Sequence, residues 1–210
     1  MKPNHPNEAD TATRVLETAS RLFYAHGVRA VGVEWIVAES GVAKTSLYRH
    51  FRTKDDLIAA FLEREDRDFW AQWDGITQRG GGDPMQELLA LLDWIGQRVS
   101  RKGYRGCPQI NVAAEFSDPS HPARQIRSRH KAEMFERLRT ITSRIGARHP
   151  DDAAYQLALL IDGAFTSDGR LSRAGATRIL RSAARALIGS GLAHRMRAGA
   201  AAAKPSARRS

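Results

Sequence analysis

The sequence predicts an all-α protein of about nine helices, and three observations support this fold class. Apolar residues recur at every third or fourth position over long stretches of the 210-residue chain, which is the spacing of one face of an α-helix. Strand-like alternation of apolar and polar residues is absent from the sequence. Runs of helix-breaking residues, GGGDP at 80–84 and DPSHP at 118–122, divide the periodic segments.

The first three helices are predicted within the first 54 residues. An apolar stripe from about Asp10 or Thr11 to His26 indicates a first helix, which Gly27 ends. Two short helical patterns then surround Gly41, because glycine adopts the left-handed conformation that stops a helix. Their apolar positions are Val33, Ile36 and Val37 before the glycine and Val42, Leu47 and Phe51 after it. Two helices joined by so short a turn form a helix-turn-helix unit.

Six further helices are predicted beyond this unit. They run from about 54 to before 80, from beyond 84 to about 102, from about 108 to 116, from 122 to about 147, from about 152 to 166 and from about 173 to 188. The eighth is apolar on nearly all sides, which predicts two packing partners. The ninth carries small residues that permit close helix approach. We divide the chain into a flexible segment (1–9), a helix-turn-helix domain (10–54), a larger helical domain (55–192) and a basic, disordered tail (193–210).

The formal charge of +10 is unevenly distributed. Residues 1–60 hold 8 basic and 7 acidic side chains, residues 61–168 hold 15 and 16, and residues 169–210 hold 10 and none. The excess charge is therefore carboxy-terminal. Within the nearly neutral first segment the charge is locally focused, because Lys44, Arg49, Arg52 and Lys54 are expected to be unopposed while Glu34 and the other acids lie on other faces.

Hydrogen-bond donors cover the outer side of the second short helix. We name this set the recognition face: Lys44, Thr45, Ser46, Tyr48, Arg49 and His50, together with Lys54. No carboxylate is expected on it. Such a face suits phosphates and base edges, so the sequence predicts contact with double-stranded DNA.

A longer match makes this interpretation more specific. The matching stretches are VLETASRLF at 15–23, HGV at 26–28, SGV at 40–42, LYRHF at 47–51 and KDDL at 54–57. In this register, residues 13–62 resemble the amino-terminal domain of the TetR family of bacterial transcription regulators. Two positions depart from the family pattern, because Ala43 and Gly32 replace common hydroxyl residues at helix starts and remove the side-chain caps expected there.

The resemblance implies roles for the recognition face. The helix from Lys44 to His50 is expected in the major groove, with Thr45, Ser46 and Arg49 reaching base edges. The remaining members, Lys44, Tyr48, His50 and Lys54, are expected to clamp phosphate oxygens. Leu47 and Phe51 point away from this face and are expected in the core.

The resemblance also implies how such a protein works. It predicts a homodimer through the last two helices, about residues 152–188, which places two recognition helices on a palindromic operator. A repressor released by a small-molecule inducer is favoured over an activator. The inducer pocket is predicted to be mostly apolar, with a few polar anchors. Its candidate residues are Trp70, Trp94, Asn111, Glu115, Phe116, Met134 and Phe165, and for each of them an ordinary role in filling the core is at least as consistent with the sequence.

An enzyme is the first alternative class. Its candidate groups are Cys107, Glu115, Asp118, His121 and His130. They form no recognised catalytic or metal-ligand spacing, and the glycines at 80–82 lack the Lys-Ser or Lys-Thr of a phosphate loop. We therefore expect no catalytic site, no metal and no cofactor other than the effector.

The basic tail allows a second alternative class, an architectural protein that binds DNA with little sequence preference.

The cysteine content bears on the location of the protein. The single cysteine, Cys107, excludes an intramolecular disulfide and agrees with a reducing cytoplasm. Neither a signal peptide nor a long apolar run is present in the sequence, so we expect a cytoplasmic protein without a membrane partner.

Overall fold

The computed structural model describes residues 8–79, 82–167 and 172–202. Within these ranges the chain is helical and contains no strand, which confirms the predicted all-α fold class. The helices are α1 (Glu8–His26), α2 (Val33–Ser40), α3 (Lys44–His50), α4 (Lys54–Arg79), α5 (Pro84–Val99), α6 (Pro108–Ala114), α7 (Pro122–Ile145), α8 (Pro150–Phe165) and α9 (Arg173–Ala202). No helix of the described ranges combines the length and the apolar composition that a bilayer crossing requires.

Proline and glycine set most of the helix boundaries, as predicted. Proline occupies the first turn of α5, α6 and α8, where its missing N–H costs nothing. The end of α9 is different from the prediction, because the helix continues from Ile188 to Ala202. This extension is rich in alanine, which is the strongest helix former even without an apolar stripe. The rest of the predicted tail, residues 203–210, lies outside the described residues.

The chain forms two compact units. Unit 1 comprises the residues up to Gln72 together with Arg105–Lys131, and unit 2 comprises Trp73–Tyr104 and the residues from Ala132 onward. Unit 1 is therefore built from two separate stretches of sequence. The predicted boundaries at 54 and 192 stay predictions.

One hydrophobic core holds unit 1 together. Residues from α1 to α4 contribute most of it, including the fully buried Leu22, Ile36 and Leu47. Val112 from α6 and Ile126 from α7 belong to the same cluster. The three-helix head thus shares its core with the fourth helix and with the stretch around residues 105–131.

Acid–base pairs join α4 to the start of α7 within unit 1. Asp55 lies 3.5 Å from His121, and Glu63 lies 3.6 Å from Arg129. A third pair is buried more deeply, because Asp66 lies 2.6 Å from Nδ1 of His130, whose ring is 2% exposed. Residue numbers rise together along both helices, so these helix segments run parallel.

Unit 2 packs α5 closely against α9. A Cβ added at Gly96 would lie 2.9 Å from the backbone nitrogen of Thr177, so only glycine allows this approach. Two ion pairs flank α5: Asp93 with Arg181 at 2.6 Å, and the buried Glu87 with Arg144 at 2.7 Å. This arrangement agrees with the close helix approach expected from the small residues of α9.

Candidate nucleic-acid interface

A tight turn connects α2 to α3. Gly41 has φ 63° and ψ 20°, and its N–H donates to the Val37 carbonyl. The Ala43 carbonyl then accepts from Ser46 and Leu47, at 2.9 and 3.0 Å, and so starts the next helix. The chain changes direction within three residues, as a helix-turn-helix unit requires.

α1 braces the turn from inside unit 1. Nη2 of Arg14 donates to the Ser40 carbonyl at 2.7 Å, which satisfies a backbone acceptor at the end of α2. Arg21 forms an exposed ion pair with Glu39 at 2.6 Å. The hydrogen bond from Arg21 lowers the pKa of the Glu39 carboxyl. These contacts fix α2 relative to α1 and thereby orient the helix that follows.

α3 is anchored on one side only. Leu47 is 1% exposed in the core, and Phe51 is half-buried against the same cluster, as their apolar spacing predicted. Lys44, Thr45, Tyr48 and Arg49 are exposed, whereas Ser46, His50 and Lys54 are half-buried. The seven residues of the recognition face therefore lie on α3 and at the first position of α4. Their contacts with DNA stay a prediction.

One prediction about this face is wrong. Lys44 is not unopposed, because its Nζ lies 2.8 Å from Oε1 of Glu34 in the first turn of α2. The hydrogen bond from Lys44 lowers the pKa of the Glu34 carboxyl, and the same bond raises the pKa of the Lys44 ammonium. Helical spacing within α2 assigned Glu34 to another face, but spacing within one helix does not show which side chains meet across two helices.

The predicted loss of two caps agrees with the structure. Gly32 and Ala43 precede α2 and α3, and neither makes a side-chain cap hydrogen bond. A cap at the start of α4 was not predicted. There Thr53 N–H donates to Asp56 and Asp56 N–H donates to the Thr53 hydroxyl, both at 3.0 Å. A hydroxyl residue three positions before an acid is the pattern that indicates this capping box, and it positions Lys54.

The predicted ligand residues fall in both units. Trp70, Asn111, Glu115 and Phe116 belong to unit 1, whereas Trp94, Met134 and Phe165 are buried in unit 2. In unit 1, Trp70 lies beside Phe69 and His130, and Phe116 stacks on His121 with ring centroids 3.6 Å apart. Asn111 and Glu115 line a cleft at the end of α1. Their ligand role stays a prediction.

The candidate catalytic residues have structural partners instead. Glu115 accepts hydrogen bonds from the backbone of Val28 and Arg29, and Asp118 accepts from Ser120, which lowers the pKa of the Asp118 carboxyl. Cys107 is buried at the start of α6. Across the described residues, no group of three or more His, Cys, Asp or Glu side chains is placed to hold a metal ion.

The turn, the anchored α3 and its exposed donors define a helix-turn-helix protein of the DNA-binding class. A family model described as bacterial regulatory proteins, tetR family, matches residues 15–61. The crystal structure of a TetR-family transcriptional regulator from Streptomyces coelicolor superposes with a TM-score of 0.82 at 28% identity, over 87% of this chain and 96% of that chain. A putative TetR transcriptional regulator from Streptomyces avermitilis gives a TM-score of 0.75 at 30% identity, over 86% and 97%.

Curated relatives match over a shorter range. The HTH-type transcriptional regulator LmrA of Bacillus subtilis is 30% identical over 117 residues, which cover 55% of this chain and 62% of LmrA. The matched part thus spans about three fifths of that relative's length. The chain belongs to the TetR family of bacterial regulatory proteins. Proteins of this family are DNA-binding transcription regulators, which confirms the expectation that the chain is not an enzyme.

Proposed function

We propose that this chain represses transcription by binding a palindromic operator as a dimer, and that a small-molecule inducer releases it. The observation that carries the proposal is the recognition face: a short helix anchored through Leu47 presents hydroxyl, imidazole and cationic donors on its outer side. Donors of this kind match base edges and phosphates in the major groove. Regulation from the cytoplasm is part of the same proposal.

The residues of the recognition face are assigned to two kinds of contact with DNA. Thr45, Ser46 and Arg49 are assigned to base edges, with Arg49 paired to a guanine. Lys44, Tyr48, His50 and Lys54 are assigned to phosphates, because donors at the margin of the groove fix the register without sequence information. Lys44 must exchange Glu34 for a phosphate when DNA binds.

The dimer is proposed to form through α8 and α9. Large apolar side chains on these helices are exposed to solvent in the single chain: Leu159 is 72% exposed, Tyr155 is 59% exposed and Ile179 is 39% exposed. A second copy would cover them around a two-fold axis. Two recognition helices would then address half-sites about 34–36 Å apart, or a multiple of that spacing.

Release by an inducer requires that the inducer bind one arrangement of the dimer better than another. The candidate inducer contacts are Trp70, Asn111, Glu115 and Phe116 within unit 1 and, as a separate set, Trp94, Met134 and Phe165 within unit 2. Helix α4 begins at Lys54, which belongs to the recognition face, and continues to Arg79. It is therefore the helix proposed to transmit inducer binding to the recognition helix.

Selection of bound DNA tests the proposal. Purified full-length protein is incubated with fragmented DNA of its source genome at near-physiological salt, and the recovered fragments are sequenced. A shared palindrome supports the repressor. Recovery without any shared motif contradicts it and favours the architectural alternative. Deleting residues 199–210 separates the two classes further, because a site-specific regulator keeps its palindrome without that segment.

A further inference from the structure

Unit 1 holds a cleft of about 500 Å³ between the end of α1 and helix α6. Its inner wall is apolar and includes the buried Phe23, Phe61, Pro108 and Val112. This volume lies within the range of roughly 300–1,000 Å³ that is typical of small-molecule sites. Phe23 and Phe61 are 2% and 1% exposed and lie beneath this wall, whereas the half-buried Tyr24 and the exposed His26 are the aromatic lining residues that a flat ligand can reach.

Two polar contacts hold the walls of the cleft together. The Tyr24 hydroxyl accepts from the Arg105 N–H at 2.9 Å and lies 3.3 Å from the Gly106 carbonyl, to which it donates. The Glu115 carboxylate accepts from Val28 N–H at 3.0 Å and from Arg29 N–H at 2.9 Å. The second contact joins α6 directly to the turn that leads from α1 into α2.

The charge at the rim is positive. Arg29 and Arg105 both line the cleft, together with His26 and Asn111. Glu115 is the single acid among the described lining residues, and both of its oxygens already accept backbone hydrogen bonds. Two guanidinium groups beside one engaged carboxylate favour an anion, and a guanidinium can bind a carboxylate or sulfonate through two parallel hydrogen bonds.

A second cavity lacks these properties. It occupies about 160 Å³ in unit 2, and its charged lining residues are Glu87 and Arg137. Glu87 pairs with Arg144, and Arg137 pairs with Asp74 and Glu133, so these charges are balanced within the protein. The larger cleft in unit 1 is therefore the better site for a charged ligand.

We propose that the cleft between α1 and α6 binds a small aromatic anion, a carboxylate or a sulfonate, with its ring beside Tyr24 and His26 and its charge at Arg29 and Arg105. Glu115 is a positioning residue in this arrangement, because its partners Val28 and Arg29 lie in the turn before α2. A ligand that moves α6 away from α1 weakens the hydrogen bonds of Glu115 to the Val28 and Arg29 backbone and thereby lowers the affinity for the operator. The regulatory part rests on the proposed DNA-binding function.

Fluorescence titration with 8-anilinonaphthalene-1-sulfonate, an aromatic anion, tests the site on full-length protein. Arg105→Gln removes a rim charge, and Ala114→Phe fills the cleft at an exposed lining position. Arg101→Gln is the matched control, because Arg101 is exposed and lies outside the cleft. We expect each cleft variant to weaken probe binding about tenfold, and the control to bind like the wild type. Circular dichroism checks that every variant is folded.

Equal probe binding in all folded variants overturns the cleft proposal. The regulatory part is measured separately, as the effect of the probe on retention of the selected operator by wild type and by Glu115→Gln. We expect the probe to reduce retention by the wild type several-fold, and Glu115→Gln to bind the operator more weakly even without probe. If the genome selection yields no operator, the proposed function fails, while the titration still decides the cleft. If an operator is found and the probe leaves its retention unchanged, the regulatory coupling is wrong.

Discussion

Arg49 and Tyr48 are neighbours on the exposed side of α3, and the proposed function gives them different contacts. We expect Arg49→Ala to abolish the preference for the operator, because a bidentate arginine–guanine pair contributes about 1–3 kcal/mol of discrimination. Tyr48→Ala is expected to abolish stable operator binding through the loss of a phosphate contact. Fluorescence anisotropy with operator and scrambled duplexes measures both effects.

The control for these variants is Arg67→Ala, because Arg67 is exposed on α4 and does not belong to the recognition face. Sedimentation velocity should find all three variants dimeric. A monomeric Arg49 or Tyr48 variant would contradict the assigned roles, since neither residue is placed in the proposed dimer interface.

In the proposed complex with DNA, Glu34 competes with a phosphate for Lys44. We expect Glu34→Gln to raise affinity for DNA of any sequence by about two- to tenfold, and to steepen the salt dependence by up to about one counterion. Anisotropy titrations over a series of salt concentrations measure both. Glu17→Gln is the matched control, because Glu17 is exposed on α1 and does not belong to the recognition face. Unchanged affinity and salt slope in Glu34→Gln would mean that Lys44 takes no part in binding.

The pH dependence of this pair follows from the direction of its pKa shift. The pKa of the Glu34 carboxyl is lower in the folded protein than in the unfolded chain. The contribution of the pair to stability is therefore complete above the unfolded value and is lost as pH falls through the folded value. The pair is charged near neutral pH, so the effect of Glu34→Gln on DNA binding should not change between about pH 6 and 8.

Local pattern predicted some residues and missed others for a physical reason. Gly41 and Leu47 were predicted because a left-handed turn and a buried helical position each depend on adjacent sequence. The Glu34–Lys44 pair depends on how two helices cross. The Glu115 contact joins positions 86 and 87 residues apart in sequence, and no local spacing indicates such a contact.

At the scale of elements, the close approach of α5 to α9 in unit 2 depends on Gly96. We expect Gly96→Ala to lower the free energy of unfolding by about 1–3 kcal/mol, because the new Cβ would lie 2.9 Å from the Thr177 backbone nitrogen and α9 would have to move. Urea unfolding at a fixed protein concentration measures the change.

Gly75→Ala is the control for this substitution. A Cβ at Gly75 would meet only Arg79 Nη1 at 3.6 Å, an ordinary contact, and α4 would gain up to about 1 kcal/mol of helix propensity. Destabilisation of both variants to the same extent would indicate a general intolerance of alanine and not a close approach of α5 and α9.

Helix starts were easier to predict than the last helix end. Pro84, Pro108 and Pro122 occur at the first turns of their helices, where the fixed φ of proline favours helix initiation. Just beyond Ile188 the sequence has two glycines, Gly189 and Gly191, and no apolar stripe, so local pattern gave no reason to extend α9. The high helix propensity of the alanines beyond Ile188 does favour a longer α9, but propensity is a weaker indicator of a helix than apolar periodicity.

At the scale of the whole molecule, Leu159 tests the proposed assembly. We expect Leu159→Glu to give a folded monomer with operator affinity lowered at least about a hundredfold, because a charge would be buried at the centre of the α8–α9 interface and only one half-site would be held. Sedimentation velocity and anisotropy measure the two effects. The control is Gln97→Glu, which adds the same charge at an exposed polar position of α5, outside α8 and α9. A Leu159→Glu protein that remains dimeric would exclude this face as the interface.

The fold class and the order of helices were predicted from one sequence, because each helix has its own apolar period and its own breakers. The set of segments that together form unit 1 was not predicted. Val112 and Ile126 read locally as ordinary core positions of α6 and α7, and only the folded chain brings them into the same cluster as Leu22 and Leu47. Long-range packing of this kind has no signature in local spacing.

This discontinuous core also determines when the head can form during synthesis. A nascent chain that has left the ribosome only as far as Gln72 lacks Val112, Ala123 and Ile126, and it also lacks the Glu115 carboxylate that satisfies two backbone amides. Its apolar surface stays open to chaperones while Trp73–Tyr104 is being translated. The core beneath the recognition helix is therefore complete only after Ile126 has emerged, so translation arrested before that point yields a head without its complete core.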